Sequence, residues 1–299
     1  MKYLIIGAGG VGGTLAACMF KGGLDVTLAL TPQRYAAVSK SGLTFTGFDG
    51  VTEVLRVASV QLSGAAELDW DAAFICVKSY QLESVLRSIK NLPEKTVLIP
   101  VMNGIGNAGR LRDAMPGHTV IDSCVYLGAF KRDYNWVQQD NEGIKLVLDR
   151  YAPLADALSE ELSHCGVKVK LSQQIGYDKF LKLFFISPLA AVEARYNASN
   201  GEVYYTEDMR AAFMALTREL YGCALALGYP LPENAPEMNE TRLGKMPRDG
   251  FASMAKDYLE GRQYERSVIV DEALALGEST GTDMALYKKF AAEIKQYQG

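Results

Sequence analysis

Short apolar runs separated by amphipathic stretches fill the first half of the chain. Residues 3–6, 26–30, 73–77, 97–101 and 120–127 are runs of strand length, and between them 11–21, 81–89 and 106–112 have the spacing and length of helices. Strands alternating with helices predict a doubly wound, mostly parallel α/β sheet. Two further segments, 43–57 and 136–148, contain alternating positions and the turn signals Gly47, Asp49-Gly50 and Glu142-Gly143. They predict antiparallel strands or hairpins added to that sheet. A helix over 151–164 and a strand over 167–171 complete this part.

From about Gln173 the strand signal stops, and helices are predicted over 177–192, 206–227, 251–260, 266–277 and 282–297. Between them, 229–247 carries Pro230, Pro232, Pro236 and Pro247, and reads as a connector because proline lacks the amide that a helix interior needs. Two domains follow, 1–172 and 173–299, a division that also suits a length of 299 residues.

Composition removes several alternatives. No apolar run approaches the ~20 residues of a membrane span, and the start MKYLIIGAGG is too short in apolar residues for a secretory signal, so a cytoplasmic protein is expected. The formal charge of −4 is mixed along the chain, without a basic stripe for nucleic acid. Five scattered cysteines (Cys18, Cys76, Cys124, Cys165, Cys223), never in C-x-x-C spacing, read mostly as buried thiols. With only His118 and His164 present, a histidine metal site or Ser-His-Asp triad has little material, and no metal is expected.

One motif carries chemistry. GAGGVGG places Gly7, Gly9 and Gly12 in G-x-G-x-x-G spacing directly after the first apolar run and directly before the first helix. Gly7 permits a sharp turn, Gly9 lets a pyrophosphate approach the backbone, and Gly12 lets helix and strand pack closely, with the helix N-terminus facing the anion. The expected fold is therefore a Rossmann-like doubly wound sheet followed by an all-helical domain. Ala8, Gly10 and Val11 lie within the same cofactor turn. An NAD site usually has Asp or Glu about 20 residues beyond the glycines, at the end of the second strand. Here the strand ends Ala29-Leu30-Thr31 and Arg34 follows, which points to the 2′-phosphate of NADP rather than to NAD. A solvated surface arginine is the competing reading of Arg34.

Over nearly its full length the chain resembles the 2-dehydropantoate 2-reductase, or ketopantoate reductase, family. The resemblance rests on GAGGVG at 7–12, CVKSYQ at 76–81, PVMNGIGN at 100–107, the stretch 179–188, NGE at 200–202 and SMAKDYLEGRQYE at 253–265. It implies an NADPH-dependent reductase of a 2-oxo acid, most directly 2-dehydropantoate in pantothenate biosynthesis, with Lys179 as proton donor. It further implies that Lys78, Asn103, Ala129 and Glu265 meet the cofactor, and that Asn103, Lys179, Ser187, Asn200 and Ser253 hold the substrate. Taken alone, these residues have plainer readings. YDKFLKLFF suits an amphipathic helix whose Lys179 and Lys182 face water, Asn103-Gly104 suits a turn, and Ser253 and Glu265 suit solvated helix positions. The resemblance weakens where family members often carry asparagines four and eight residues after the lysine, because this chain has Leu183 and Ser187. That departure leaves open a paralogue acting on another 2-oxo, hydroxy or amino acid, or a non-catalytic NADP-binding redox sensor. The helical domain also offers surface for a homodimer.

Overall fold

The computed structural model describes residues 1–297. It divides into two compact units, Met1–Asp178 and Lys179–Gly299. In the first, β1 (Lys2–Ile6), α1 (Gly10–Lys21), β2 (Asp25–Leu30), α2 (Pro32–Ser41), β3 (Leu43–Thr46), β4 (Thr52–Leu55), β5 (Ala58–Gln61), β6 (Ala72–Ile75), α3 (Leu82–Ile89) and β7 (Val97–Pro100) follow in turn. They are succeeded by α4 (Asn107–Ala114), β8 (Ser123–Tyr126), β9 (Ala129–Asp133), β10 (Trp136–Gln139), β11 (Ile144–Asp149), α5 (Ala155–His164) and β12 (Val167–Ser172).

The central sheet runs β5-β2-β1-β6-β7 with every pair parallel. Both of its faces are covered, which is why its strands read as continuous apolar runs. Tyr3, Ile5, Leu28, Phe74 and Ile99 enter one core cluster, and Leu4, Ile6, Ala29, Ile75 and Leu98 enter the other.

The two turn-rich segments do not extend this sheet. β3, β4, β9 and β10 form a separate sheet in the order β4-β3-β10-β9, and β8, β11 and β12 form a third. In the second sheet β10 pairs with β3 in parallel, through Trp136↔Thr44 and Val137↔Phe45, so the joining contact is between distant segments rather than within a hairpin. The run expected as one strand over 120–127 is likewise divided. Val120 bridges Leu98, and after a break Ser123–Tyr126 pairs with β11 in the third sheet.

The division between the units falls inside α6 (Ile175–Tyr196). The second unit continues with α7 (Asn200–Tyr205), α8 (Glu207–Ala226), α9 (Ala235–Leu243) and α10 (Ser253–Leu259). A π-helical turn over Ser267–Asp271 then leads into α11 (Glu272–Thr280), and α12 (Ala285–Glu293) follows. The proline-rich connector thus contains a helix, α9, because Pro236 lies in its first turn, where a missing amide costs no hydrogen bond.

Pro188 lies inside α6. It has no amide to donate to the carbonyl of Phe184 one turn earlier, and the buried side chain of Asn239 on α9 supplies that donor instead, Nδ2 to O at 2.9 Å. No helix among the described residues is long and apolar enough to cross a membrane.

Candidate functional site

The carboxyl edge of the parallel sheet gathers four of the expected cofactor segments. Strand register sets Ile6, Ala29, Ile75 and Pro100 abreast. The residues just beyond them are therefore Gly7, Thr31, Lys78 and Asn103 with their neighbours, and ligands of open α/β sheets bind at this edge. Gly7 takes φ +90°, a left-handed conformation in which a Cβ would also lie 2.9 Å from the Cys76 carbonyl oxygen. At Gly12 a Cβ would overlap the Gly7 carbonyl oxygen and come within 2.8 Å of Cys76 Cβ. Only glycine allows α1 to start this close to β1 and β6.

Gly9 precedes α1 in an extended conformation, and nothing lies within 4 Å of where its Cβ would be. The helix behind it has neither a side-chain cap nor an acidic residue in its first turn, so the positive end of its dipole is not answered by the side chains of that turn. A Cβ on Gly10 would overlap the Ala129 carbonyl oxygen, which puts the start of β9 against the first turn of α1. Lys78 opens a short 3-10 turn, its amide donating to Gln81 Oε1 at 3.1 Å. The Asn103 carbonyl accepts from Asn107 Nδ2 at 2.6 Å, and Gly104 at φ +100° turns the chain.

Arg34, in the first turn of α2, is not a freely solvated arginine. It is half-buried, its Nη2 is buried without a hydrogen-bond partner, and burial lowers its pKa. An unpaired guanidinium nitrogen is costly, and an anionic oxygen is its natural complement. The open space at Gly9, the uncapped helix start and this nitrogen all suit a dinucleotide phosphate.

In the second unit, Lys179 stands at the start of the α6 segment with only 6% of its surface exposed, against the plainer reading in which it faces water. Leu183 and Ser187 share its helical face and are also buried. The Ser187 hydroxyl is already engaged, donating to the Ile269 carbonyl at 2.5 Å and lying 3.0 Å from the Tyr287 hydroxyl. Ile269 lies within the π-turn, where i→i+5 spacing disturbs the regular ladder. Asn200 is buried at the start of α7: its amide donates to Gly250 O, its Nδ2 to Pro247 O at 2.9 Å, and its Oδ1 has no partner. Ser253 is exposed as the first residue of α10. Glu265 lies before the π-turn rather than on a helix, and is buried rather than solvated.

Sequence reasoning missed two acids on α6. Asp178 accepts from Lys170 Nζ at 2.6 Å and from the Ser172 hydroxyl, tying the first turn of α6 to β12. Glu193 is fully buried, and burial pushes its carboxyl up to about 8. A lone acid within the run AAVEA was the only available signal for Glu193.

Comparison with known proteins matches both halves of the chain. A family model described as ketopantoate reductase PanE/ApbA covers residues 3–148, and the model of its C-terminal part covers 174–298. A 2-dehydropantoate 2-reductase of Pyrococcus horikoshii is 24% identical over 271 residues, 89% of this chain and 87% of that protein. Among solved structures, a PanE/ApbA family ketopantoate reductase from Ralstonia eutropha JMP134 has a TM-score of 0.90 at 23% identity, covering 98% of this chain and 97% of that one. A D-mandelate dehydrogenase in complex with NADH and anilino(oxo)acetate has a TM-score of 0.88 at 19% identity, with 98% and 97% covered. With a parallel-sheet first unit, a helical second unit and both family models matched in chain order, this chain is an oxidoreductase that belongs to the ketopantoate reductase family.

Proposed function

We propose that the chain reduces a 2-oxo acid with NADPH, 2-dehydropantoate being the first substrate to test. Family membership across both units carries this reading. The glycine turn would receive the pyrophosphate, Arg34 the 2′-phosphate, and Lys78, Asn103, Ala129 and Glu265 the remainder of the cofactor. The nicotinamide, when bound, supplies the hydride.

The chain's own residues supply the proton and the orientation. Lys179 Nζ donates to the substrate carbonyl oxygen and offsets the negative charge that develops there. Asn103, Asn200 and Ser253 orient the acid by hydrogen bonds. Ser187 can donate to the acid only by giving up its bond to the Ile269 carbonyl. NADP in preference to NAD is supported by the unpaired Arg34 nitrogen and by the absence of a carboxylate at Ala29-Leu30-Thr31.

A second substrate reading has its own support. With Leu183 apolar and the Ser187 hydroxyl engaged, the helical face following Lys179 offers little to a substrate hydroxyl, which suits a less polar 2-oxo acid. Calorimetric titration of NADPH and NADH, followed by steady-state assays with 2-dehydropantoate and with branched and aromatic 2-oxo acids, tests both readings. Tighter NADPH binding and turnover of one of these acids are expected. Tight NADPH binding without turnover of any 2-oxo acid would overturn the catalytic reading in favour of a cofactor sensor.

A further inference from the structure

The loop 247–252, immediately before Ser253, is held by backbone and side-chain bonds from two neighbouring elements of the second unit. The amides of Asn200 and Gly201 donate to the carbonyls of Gly250 and Arg248, each at 2.9 Å, and Asn200 Nδ2 donates to Pro247 O. From α6, Glu193 Oε2 accepts the amide of Ala252 at 2.7 Å, while Oε1 is buried without a hydrogen-bond partner. Glu193 has no exposed surface, and a carboxyl is an expensive group to bury for one amide bond. Its bond falls on the residue directly before Ser253, where the loop passes into α10.

We propose that Glu193 is a positioning residue for substrate binding, holding the Ala252 amide so that the Ser253 hydroxyl is presented at a fixed height and angle. This rests on the reading of Ser253 as a substrate group. Burial pushes the Glu193 carboxyl up to about 8, so it is chiefly neutral at pH 7 and holds the amide without placing a full negative charge beside an acidic substrate.

The test is a double-mutant cycle of Glu193→Ala and Ser253→Ala, with Glu193→Gln as the conservative variant and thermal melts on each protein. The readouts are KM and kcat for 2-dehydropantoate with NADPH, and calorimetric binding of 2-dehydropantoate to protein saturated with NADP. Glu193→Ala should raise KM and Kd about tenfold, the loss of one well-oriented hydrogen bond, with kcat changed much less. Glu193→Gln, whose amide oxygen accepts the same N–H, should restore both to within about threefold. The double variant should bind no more weakly than Ser253→Ala alone, because both changes remove one contact.

Multiplicative effects, or a Glu193→Gln protein that folds but binds as weakly as Glu193→Ala, would overturn the role of Glu193 and leave Ser253 as a substrate group. Unchanged KM and Kd in Ser253→Ala would instead remove Ser253 from the substrate site, and the inference with it.

Discussion

Replacing Glu193 by glutamine should make the protein's stability less sensitive to pH between about 5 and 8. The folded state raises this carboxyl from its ordinary 4.5 to about 8, chiefly by burial and against a smaller lowering from the Ala252 amide. Between those values the folded chain holds a proton that the unfolded chain releases, so unfolding is coupled to proton release. The resulting stabilisation is complete below about pH 4.5, diminishes by roughly 1.4 kcal/mol for each pH unit above it, and is gone beyond about pH 8. The interval sets a ceiling of roughly 5 kcal/mol, a large share of the stability of an ordinary domain. Glutamine preserves the shape and the acceptor but does not titrate, so the variant should gain on the wild type with rising pH and then hold a constant lead above pH 8.

Urea denaturation followed by circular dichroism is the appropriate assay. The second unit is helical, whereas both tryptophans, Trp70 and Trp136, lie in the first unit and would not report on it. Parallel stability curves for the two proteins from pH 5 to 8 would refute the reasoning, because they would mean that Glu193 titrates alike in the folded and unfolded chains.

Three further outcomes are expected. Gly12→Ala places a methyl on the Gly7 carbonyl oxygen and should weaken NADPH binding at least tenfold, measured by NADPH fluorescence; unchanged affinity would argue against the glycine turn as the cofactor site. Lys179→Met removes the proposed proton donor and should lower kcat by about 10²–10⁴-fold with NADPH affinity retained, and wild-type turnover would sink the mechanism. Asn239→Leu leaves the carbonyl opposite Pro188 unpaired and should destabilise the chain by about 1–3 kcal/mol in urea melts at pH 7, a loss that would be absent if α6 satisfied that carbonyl in another way.

Much of this molecule was legible because its signals are local. The run at 3–6, the glycines and the helix that follows are contiguous in the chain, so one stretch specifies a strand, a turn of defined handedness and a helix start without a side-chain cap. The strand-to-helix alternation predicted the parallel sheet, and the loss of strand signal near Gln173 predicted the helical second unit. Within the expected site, Lys78 and Asn103 could be placed at strand ends by pattern alone, and register then set those ends side by side.

Other features required the folded chain. The turn-rich segments show their alternation in sequence, but β10 takes β3, more than 80 residues away, as a parallel partner, and alternation carries no address for its partner. A proline at 188 and an asparagine at 239 are unremarked in sequence until one removes an amide and the other replaces it. Ser187 reads as a candidate substrate ligand until Ile269 and Tyr287 are seen to engage its hydroxyl.

By itself, then, the sequence determined the alternation of strands and helices in the first unit, the helical character of the second, the glycine turn expected to take a dinucleotide and the family to which the chain belongs, since each depends on neighbours along the chain or on ordered motifs. Tertiary structure alone decided which strands share a sheet, which polar groups are already satisfied, and that Glu193 is buried against Ala252. Those outcomes depend on desolvation and on partners 55 to 100 residues apart, and residue identity does not reveal how much water a group will retain.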